Sequence, residues 1–346
     1  MSRTVFRYTC DCANNDHLTV SDGTARCAYC GAGYPVSERG VLYLIQSKSE
    51  QNAYFDQIYA EGHLDKVGQL TENSSRPYAE TIDAAVRCLS LCGYNLSVPI
   101  DELSILDVGS GAGRMAAGLL QCQQLRSCRI HAFDISSPGL EMLAAFAASV
   151  SSSNQLEISV QDANEMRFEP GSFDVIVGSS VLHHFENVSN FLSDCRRILR
   201  PGGAMTFGEP FAVGYGLGVA ALIIAQRQLG TEYPALEDLY GDLKLRITNR
   251  PEILANLVDK HLFFQRSFLS MIQKAGFGDV EFVPLASREF YRDSFIHELL
   301  AEREISDPLL AATANEIYRT MFELFDGDHF EDSLAAFIQV LSSTDE

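Results

Sequence analysis

The chain has 346 residues, 46% of them apolar and 21% charged, with 26 Lys+Arg against 46 Asp+Glu and a formal net charge of -20. At ~150 residues per domain this is one large domain or two moderate ones, and such ordinary globular proportions exclude a wholly disordered chain. A surface this acidic repels phosphate backbones and anionic membranes, so nucleic-acid binding would need a local basic stripe. The densest basic cluster is only Arg196, Arg197 and Arg200, on one predicted helix.

The opening MSRTVFRYTC has no apolar run of the kind a secretory signal needs. Nine cysteines, an odd number, then point to a reducing compartment, and the expected location is the cytoplasm. Four of them fall early: Cys10 and Cys12 in CDC, Cys27 and Cys30 in CAYCG. Two thiol-bearing turns about fourteen residues apart describe a zinc ribbon over residues 1–45, where Gly31 and Gly33 permit the tight second turn and a tetrahedral four-cysteine site substitutes for a core. His17 is an alternative fourth ligand; a ribbon without metal and a disulfide pair are the competing readings. Phe6 to Ile45, ending CGAGYPVSERGVLYLI, resembles the zinc-ribbon module that precedes some bacterial methyltransferases and also occurs as a free-standing activator subunit of tRNA methyltransferases.

Residues 46–100 read as helical. Tyr54, Phe55, Ile58 and Tyr59 recur at helical spacing, as a packing stripe does. From Leu103 the pattern becomes strand, turn, helix, repeated. SILDVGS is a buried strand running into glycines, followed by a helix from Gly113 to Cys122. RIHAFDIS is a second strand ending in an acid. A helix from Pro138 to Val150, with a Ser136/Ser137 cap, follows it. LEISVQD and SFDVIVGSS are the third and fourth strands, Val188 to Leu199 is an amphipathic helix, and RPGGAMTFGE leads into a fifth strand. Such alternation predicts an α/β fold with a doubly wound, mostly parallel sheet and ligands at the carboxyl ends of its strands.

The glycine loop LDVGSGAGR fits neither the dinucleotide pattern, since Arg114 stands where glycine would be required, nor a P-loop. It matches the D-x-G-x-G-x-G first motif of class I S-adenosylmethionine-dependent methyltransferases, and the chain resembles the group of that family with an LHH signature, here Leu182, His183 and His184. FDVIVGSSVLHHF and RILRPGGAMTFGEP resemble the family's fourth and fifth motifs, HLFFQRSFLSMIQKAGFGDVEFV its closing helix and sixth strand, and REFYRDS a candidate antiparallel seventh. The resemblance covers Leu103 to Ser294 and implies a Rossmann-like seven-stranded sheet, with domain bounds of 1–45 (ribbon), 46–100 (cap over the cofactor), 101–294 (core) and 295–346 (acidic helical extension). It places S-adenosylmethionine on Asp107, Gly109, Gly111, Gly113, Arg114, Asp134, Ile135, Asp162, Ala163, Ser179 and His184. Asp134 would accept from the ribose hydroxyls and Asp162 with the Ala163 amide would hold the adenine amine; Gly109 and Gly111 would let the backbone approach the ligand.

Residues 209–261 form an insertion that the minimal fold lacks, a natural lid or acceptor-selecting element and equally a homodimer interface. Its apolar run, Phe211 to Ala225, would span ~22 Å as a helix, short of a ~30 Å hydrocarbon core, so no membrane contact is expected. Candidate bases near the strand ends are His183, His184 and Glu209, with His184 in a cofactor-side role and Glu209 alternatively a capping residue. His63 and His261 read as surface or packing residues, and Cys88, Cys92, Cys122, Cys128 and Cys195 as small apolar packers. Ala301 to Glu346 carries eleven acidic and two basic side chains, either a solvated helical tail or a docking face for a basic partner.

These features predict methyl transfer to a small-molecule acceptor, with structural zinc in the ribbon. The alternatives are RNA base methylation with the ribbon gripping RNA, protein methylation, and a non-catalytic S-adenosylmethionine-binding scaffold.

Overall fold

The computed structural model describes residues 8–12, 17–45, 49–61, 75–247, 251–254, 257–284, 286–324 and 335–341; His63 lies outside them. The N-terminal segment forms a three-stranded antiparallel sheet of β1 (Leu18–Ser21), β2 (Thr24–Cys27) and β3 (Gly33–Pro35), followed by a two-residue strand β4 (Leu42–Tyr43). Helices α1 (Glu50–Glu61) and α2 (Ser75–Leu91) lead to the short β5 (Ile100–Asp101) and to β6 (Ser104–Val108). The core then runs through α3 (Arg114–Gln121), β7 (Leu125–Arg126), β8 (Arg129–Asp134), α4 (Ser137–Ser149), β9 (Gln155–Val160), β10 (Phe173–Ser179), α5 (Val188–Ile198) and β11 (Leu199–Pro210).

All five residues of β6 are buried, because helices cover both faces of the sheet; a continuous Ile/Leu/Val run is what such a strand requires. Neighbouring side chains alternate between two cores. Ile105, Ile130, Val175 and Val177 face a cluster with α2, α3 and α4, while Leu106, Phe133, Ile176 and Met205 face one with α5 and the N-terminal segment. Cys88, Cys92, Cys122, Cys128 and Cys195 are buried in these clusters, as apolar packers are. Helix α4 is capped from outside. Ser136 makes no side-chain cap bond of its own; instead Asp56 on α1 accepts from the Ser136 hydroxyl (2.9 Å) and the Ser137 amide (3.1 Å).

After β11 come α6 (Ala212–Leu229), α7 (Pro234–Ile247), α8 (Pro251–Leu254), α9 (Gln265–Lys274), β12 (Asp279–Pro284), α10 (Arg288–Asp293), α11 (Phe295–Ala301), α12 (Pro308–Leu324) and β13 (Ala335–Leu341). The main sheet has the order β12-β13-β11-β10-β6-β8-β9-β4, with β13 antiparallel to both its neighbours. This is the expected doubly wound, mostly parallel arrangement of seven strands, with β4 added at one edge.

Two readings of the C-terminal part are corrected. REFYRDS is not a strand: Ser287 accepts from the Phe290 amide to start α10, which buries Tyr291. The antiparallel seventh strand is AAFIQVL, so the core does not close at Ser294 and the segment 295–346 is not helical throughout. The acidic side chains that dominate the segment's charge hide a β-branched and aromatic run. Helices α6 and α7 from the 209–261 insertion share one core with α10, α11 and α12, so two insertions in sequence make one helical layer. Among the described residues α6 is the one helix long and apolar enough, by length and composition, to cross a membrane; half of it is buried in this layer, and Gly218 gives Phe295 and Leu299 room that a Cβ would take.

Candidate active site

A cavity opens at the carboxyl ends of β6, β8, β9 and β10. Gly109, Phe133, Asp134, Ile135, Gln161, Asp162, Ala163 and Asn164 line its floor, and Ser180, Val181, His184 and Phe185 one wall. Helix α1 forms the roof with Gln51, Phe55 and Tyr59, spaced i, i+4, i+8 on one face. The roof is latched: Gln51 donates to the His184 carbonyl (3.0 Å), Asn52 to the Ile135 carbonyl (3.1 Å), and Asp56 caps α4. Tyr54 of the predicted aromatic stripe is exposed instead, and α2 packs behind the sheet on α3 rather than over the cavity.

The glycine loop has left-handed backbone at Gly109 (φ 61°), Gly111 (φ 53°) and Gly113 (φ 87°). A Cβ would overlap Val181 at Gly109, Tyr59 at Gly111 and Leu143 at Gly113, so the space they leave is filled by the protein's own side chains. Asp134, buried at the end of β8, accepts from the Gly111 amide (2.8 Å) and the Ser136 amide (2.8 Å), and burial pushes its carboxyl up. Asp162 accepts from the amide and side chain of Asn164 (both 2.8 Å). Asp107 lies beneath the loop, away from the cavity wall. It accepts from the Ala116 amide in the first turn of α3, and burial pushes it up to about 8.

Of the sequence-predicted cofactor residues, Gly109, Asp134, Ile135, Asp162, Ala163 and His184 therefore meet in one cavity. Asp107, Gly111, Gly113, Arg114 and Ser179 are not on its wall: Arg114 and Ser179 are exposed, and Ser180, in left-handed backbone (φ 52°), stands where Ser179 was expected. Phe55 and Tyr59 of the predicted aromatic stripe line the cavity, while Gln51, Gln161 and Asn164 went unrecognised as wall residues. The i, i+4 spacing of Gln51, Phe55 and Tyr59 was the available signal.

Glu209 is fully buried and held on three sides. Its Oε1 accepts from the amides of Val181 and Leu182 (2.8 Å each), and its Oε2 lies 2.7 Å from His183 Nδ1. It shapes the turn before the LHH residues and does not face an acceptor. Burial disfavours the charged imidazole of His183, but the Glu209 carboxylate beside it outweighs that and raises its pKa above the ordinary value. From the insertion, Asp259 approaches the same histidines: Oδ1 is 3.2 Å from His184 Nδ1 and 3.9 Å from His183 Nε2. His261 is half-buried, with Nε2 2.8 Å from the Phe185 carbonyl.

Residues 106–207 match the family described as "Methyltransferase domain". This segment is an S-adenosylmethionine-dependent methyltransferase domain. The chain is 26% identical over 154 residues to a ubiquinone biosynthesis O-methyltransferase of Dechloromonas aromatica, which covers 41% of this chain and 60% of that protein. It is 30% identical over 114 residues to polyketide synthase 19 of Gibberella fujikuroi, covering 31% of this chain and 4% of that protein. The chain thus spans less than two thirds of these curated relatives. Among solved structures, a phosphoethanolamine N-methyltransferase 2 of Haemonchus contortus in complex with S-adenosyl-L-methionine aligns over 87% of this chain and 62% of that one, at 14% identity and a TM-score of 0.48.

Ahead of the methyltransferase domain, the thiols of Cys10, Cys12, Cys27 and Cys30 all lie within 4.8 Å of one another. Cys10 and Cys30 are 3.5 Å apart and Cys12 and Cys27 3.8 Å, far beyond a disulfide. Four sulfurs ~2.3 Å from a tetrahedral zinc sit ~3.8 Å from each other, so the cluster fits that ion. His17 is not part of it and lies 3.0 Å from Glu169. Asp11, between the two cysteines of CDC, accepts from the Tyr34 hydroxyl (2.8 Å) and from Arg167 of the methyltransferase domain (3.1 Å). Tyr8 is buried against His131 and Phe168 of that domain, so the N-terminal segment is packed into the core rather than tethered to it.

Proposed function

We propose that the chain transfers a methyl group from S-adenosylmethionine to a small-molecule acceptor. The observation that carries this is the roofed cavity at the strand ends with Asp134 and Asp162 on its wall among Phe55, Phe133 and Phe185, a lining suited to a ribose and an adenine ring. The cofactor supplies an electrophilic methyl on a sulfonium, displaced in line. The protein's part is to hold the acceptor's lone pair ~3 Å from that carbon and to keep water out, to which α1, as the cavity's roof, would contribute. A small acceptor accords with the named activity of the ubiquinone biosynthesis relative and with the missing basic stripe.

The test uses methyl-labelled S-adenosylmethionine, the purified protein and cleared host extract, separated into small-molecule, RNA and protein fractions. Label in the small-molecule fraction is the expected result. Label confined to RNA would establish the ribbon as an RNA grip and overturn the reading, and label in protein would overturn it equally.

Asp134→Ala should weaken cofactor binding by about 3 kcal/mol, since the carboxylate's charge-assisted bonds to the ribose are lost and two loop amides lose their acceptor. Calorimetric titration with an unchanged Kd would refute the placement. In this reading the cysteine cluster holds one structural zinc. Metal analysis should return about one equivalent from the intact protein and none from Cys27→Ser; a fully folded protein that takes up no zinc would remove the site.

A further inference from the structure

We propose a second metal site in this chain, in which His183 Nε2, His184 Nδ1 and Asp259 Oδ1 hold a divalent first-row transition-metal cation at the acceptor end of the cofactor cavity. One ligand atom from each of the three lies within 4.8 Å of the others. A cation ~2.1 Å from each ligand requires ~3.0 Å between donors for an octahedral edge and ~3.4 Å for a tetrahedral one. The 3.2 Å separation of the Asp259 oxygen from His184 Nδ1 falls between these, and the 3.9 Å to His183 Nε2 is about 0.5 Å longer, a gap that a small side-chain rotation of Asp259 closes. Two imidazoles and one carboxylate on one side of an ion leave the opposite positions open, the arrangement of a reactive rather than a purely structural metal.

Apart from the Val258 carbonyl, which lies 3.2 Å from His184 Nδ1 and which a bound ion would displace, the surroundings are those of a ligand set. A metal-binding histidine commonly donates its other ring N–H to a carboxylate, which fixes the tautomer and strengthens the ligating nitrogen. Glu209 does this for His183: it is fully enclosed, locked by the Val181 and Leu182 amides, and its remaining oxygen meets Nδ1 at 2.7 Å, so Nε2 presents its lone pair to Asp259. Charge favours a dication as well. Glu209, Asp259 and Asp242 are three carboxylates here, against two cations: Arg246, which reaches Asp242 at 3.0 Å and the far oxygen of Asp259 at 3.5 Å, and Lys260, whose Nζ turns to the Leu257 carbonyl (3.0 Å). The site is reachable, because Asp259 is 41% exposed and His184 lines the cofactor cavity. The backbone is fixed too: the amides of Lys260 (2.7 Å) and His261 (3.0 Å) both donate to the His183 carbonyl, clamping the loop that carries Asp259 onto the LHH turn.

The ion's use rests on the methyl-transfer reading; its binding does not. An ion there, next to the cavity that His184 lines, would take an acceptor through oxygen donors, a phenol, enol or hydroxy acid, and favour loss of that oxygen's proton to solvent water.

Titration of the full chain with cobalt(II) separates this site from the cysteine cluster, since thiolate ligation gives an intense sulfur-to-metal absorption that nitrogen and oxygen ligands lack. Wild-type protein should take two equivalents, one with that absorption and one without. Asp259→Ala should lose the second at least 100-fold in affinity while keeping the first and a cooperative thermal transition. Asp242→Ala, which leaves all three ligands in place, should keep both. A wild-type protein that binds only the thiolate equivalent, or an Asp259→Ala variant that still binds the second, would reduce the cluster to a hydrogen-bonded latch and overturn the proposal. The labelled-methyl assay is read separately, so failure of the metal site leaves the methyltransferase reading standing.

Discussion

A chain ending at residue 334 is expected not to reach the native state. Strand β13 fills a slot between β11 and β12, in register with seven residues of one and six of the other. At ~1 kcal/mol net for each bond in those ladders, its loss costs about as much as the whole net stability of a domain. The damage is worse than the ladder alone, because Ala204 to Glu209 on β11 are buried and their backbone groups would be left facing an unfilled groove. Strand β12 would have no partner at all among the described residues. Circular dichroism and thermal unfolding of the truncated chain should show no cooperative transition; a transition near the wild-type midpoint would mean that β13 is dispensable.

Glu209→Ala is expected to destabilise the protein by about 3–5 kcal/mol in urea denaturation. The substitution orphans two buried amides and removes the charge beside a buried histidine in a fully enclosed position. Glu209→Gln keeps an oxygen for the amides and should lose markedly less. The two variants also differ from wild type in pH dependence. Glu209 holds the folded-state pKa of His183 above the ordinary 6.5, so the pair's contribution is complete below that value and fades as pH rises through the folded-state one. Wild-type stability should therefore fall over that interval, and Glu209→Gln should lose the slope. Equal midpoints for wild type and Glu209→Ala would show that another group can satisfy the Val181 and Leu182 amides.

The parallel core was legible because its signals are local. SILDV, RIHAFD and FDVIVGS are short segments rich in apolar and β-branched residues that end in a carboxylate or run into glycine or serine turns, and the amphipathic run that follows the fourth strand forms α5. The parts that escaped depend on distant partners. Asp56 caps a helix eighty residues away, which no local pattern around it reveals. Glu209 emerges from the fifth strand as a candidate base does, yet the turn at 181–182 aims two amides at it and closes it off. The seventh strand was masked by its acidic neighbourhood: net charge reports what a segment shows to solvent, not which seven of its residues pair.

The edge strand β9 has a bearing on how copies of this protein meet one another. Its outer side, at Ser159 and Val160, is paired with only two residues, Leu42 and Tyr43 of β4, and the Leu44 amide adds one more bond to the Val160 carbonyl (2.9 Å). An uncovered parallel edge is a template onto which another chain can add a strand. The N-terminal segment thus covers this edge, and its hold depends on the packing of Tyr8, Leu18, Tyr34, Leu42 and Leu44 into the core and on Arg167 gripping Asp11. Anything that loosens those cysteine turns, from chelation to thiol oxidation, would bare backbone on a sheet whose other face and far edge stay intact. Self-association, rather than unfolding, would be the first visible sign.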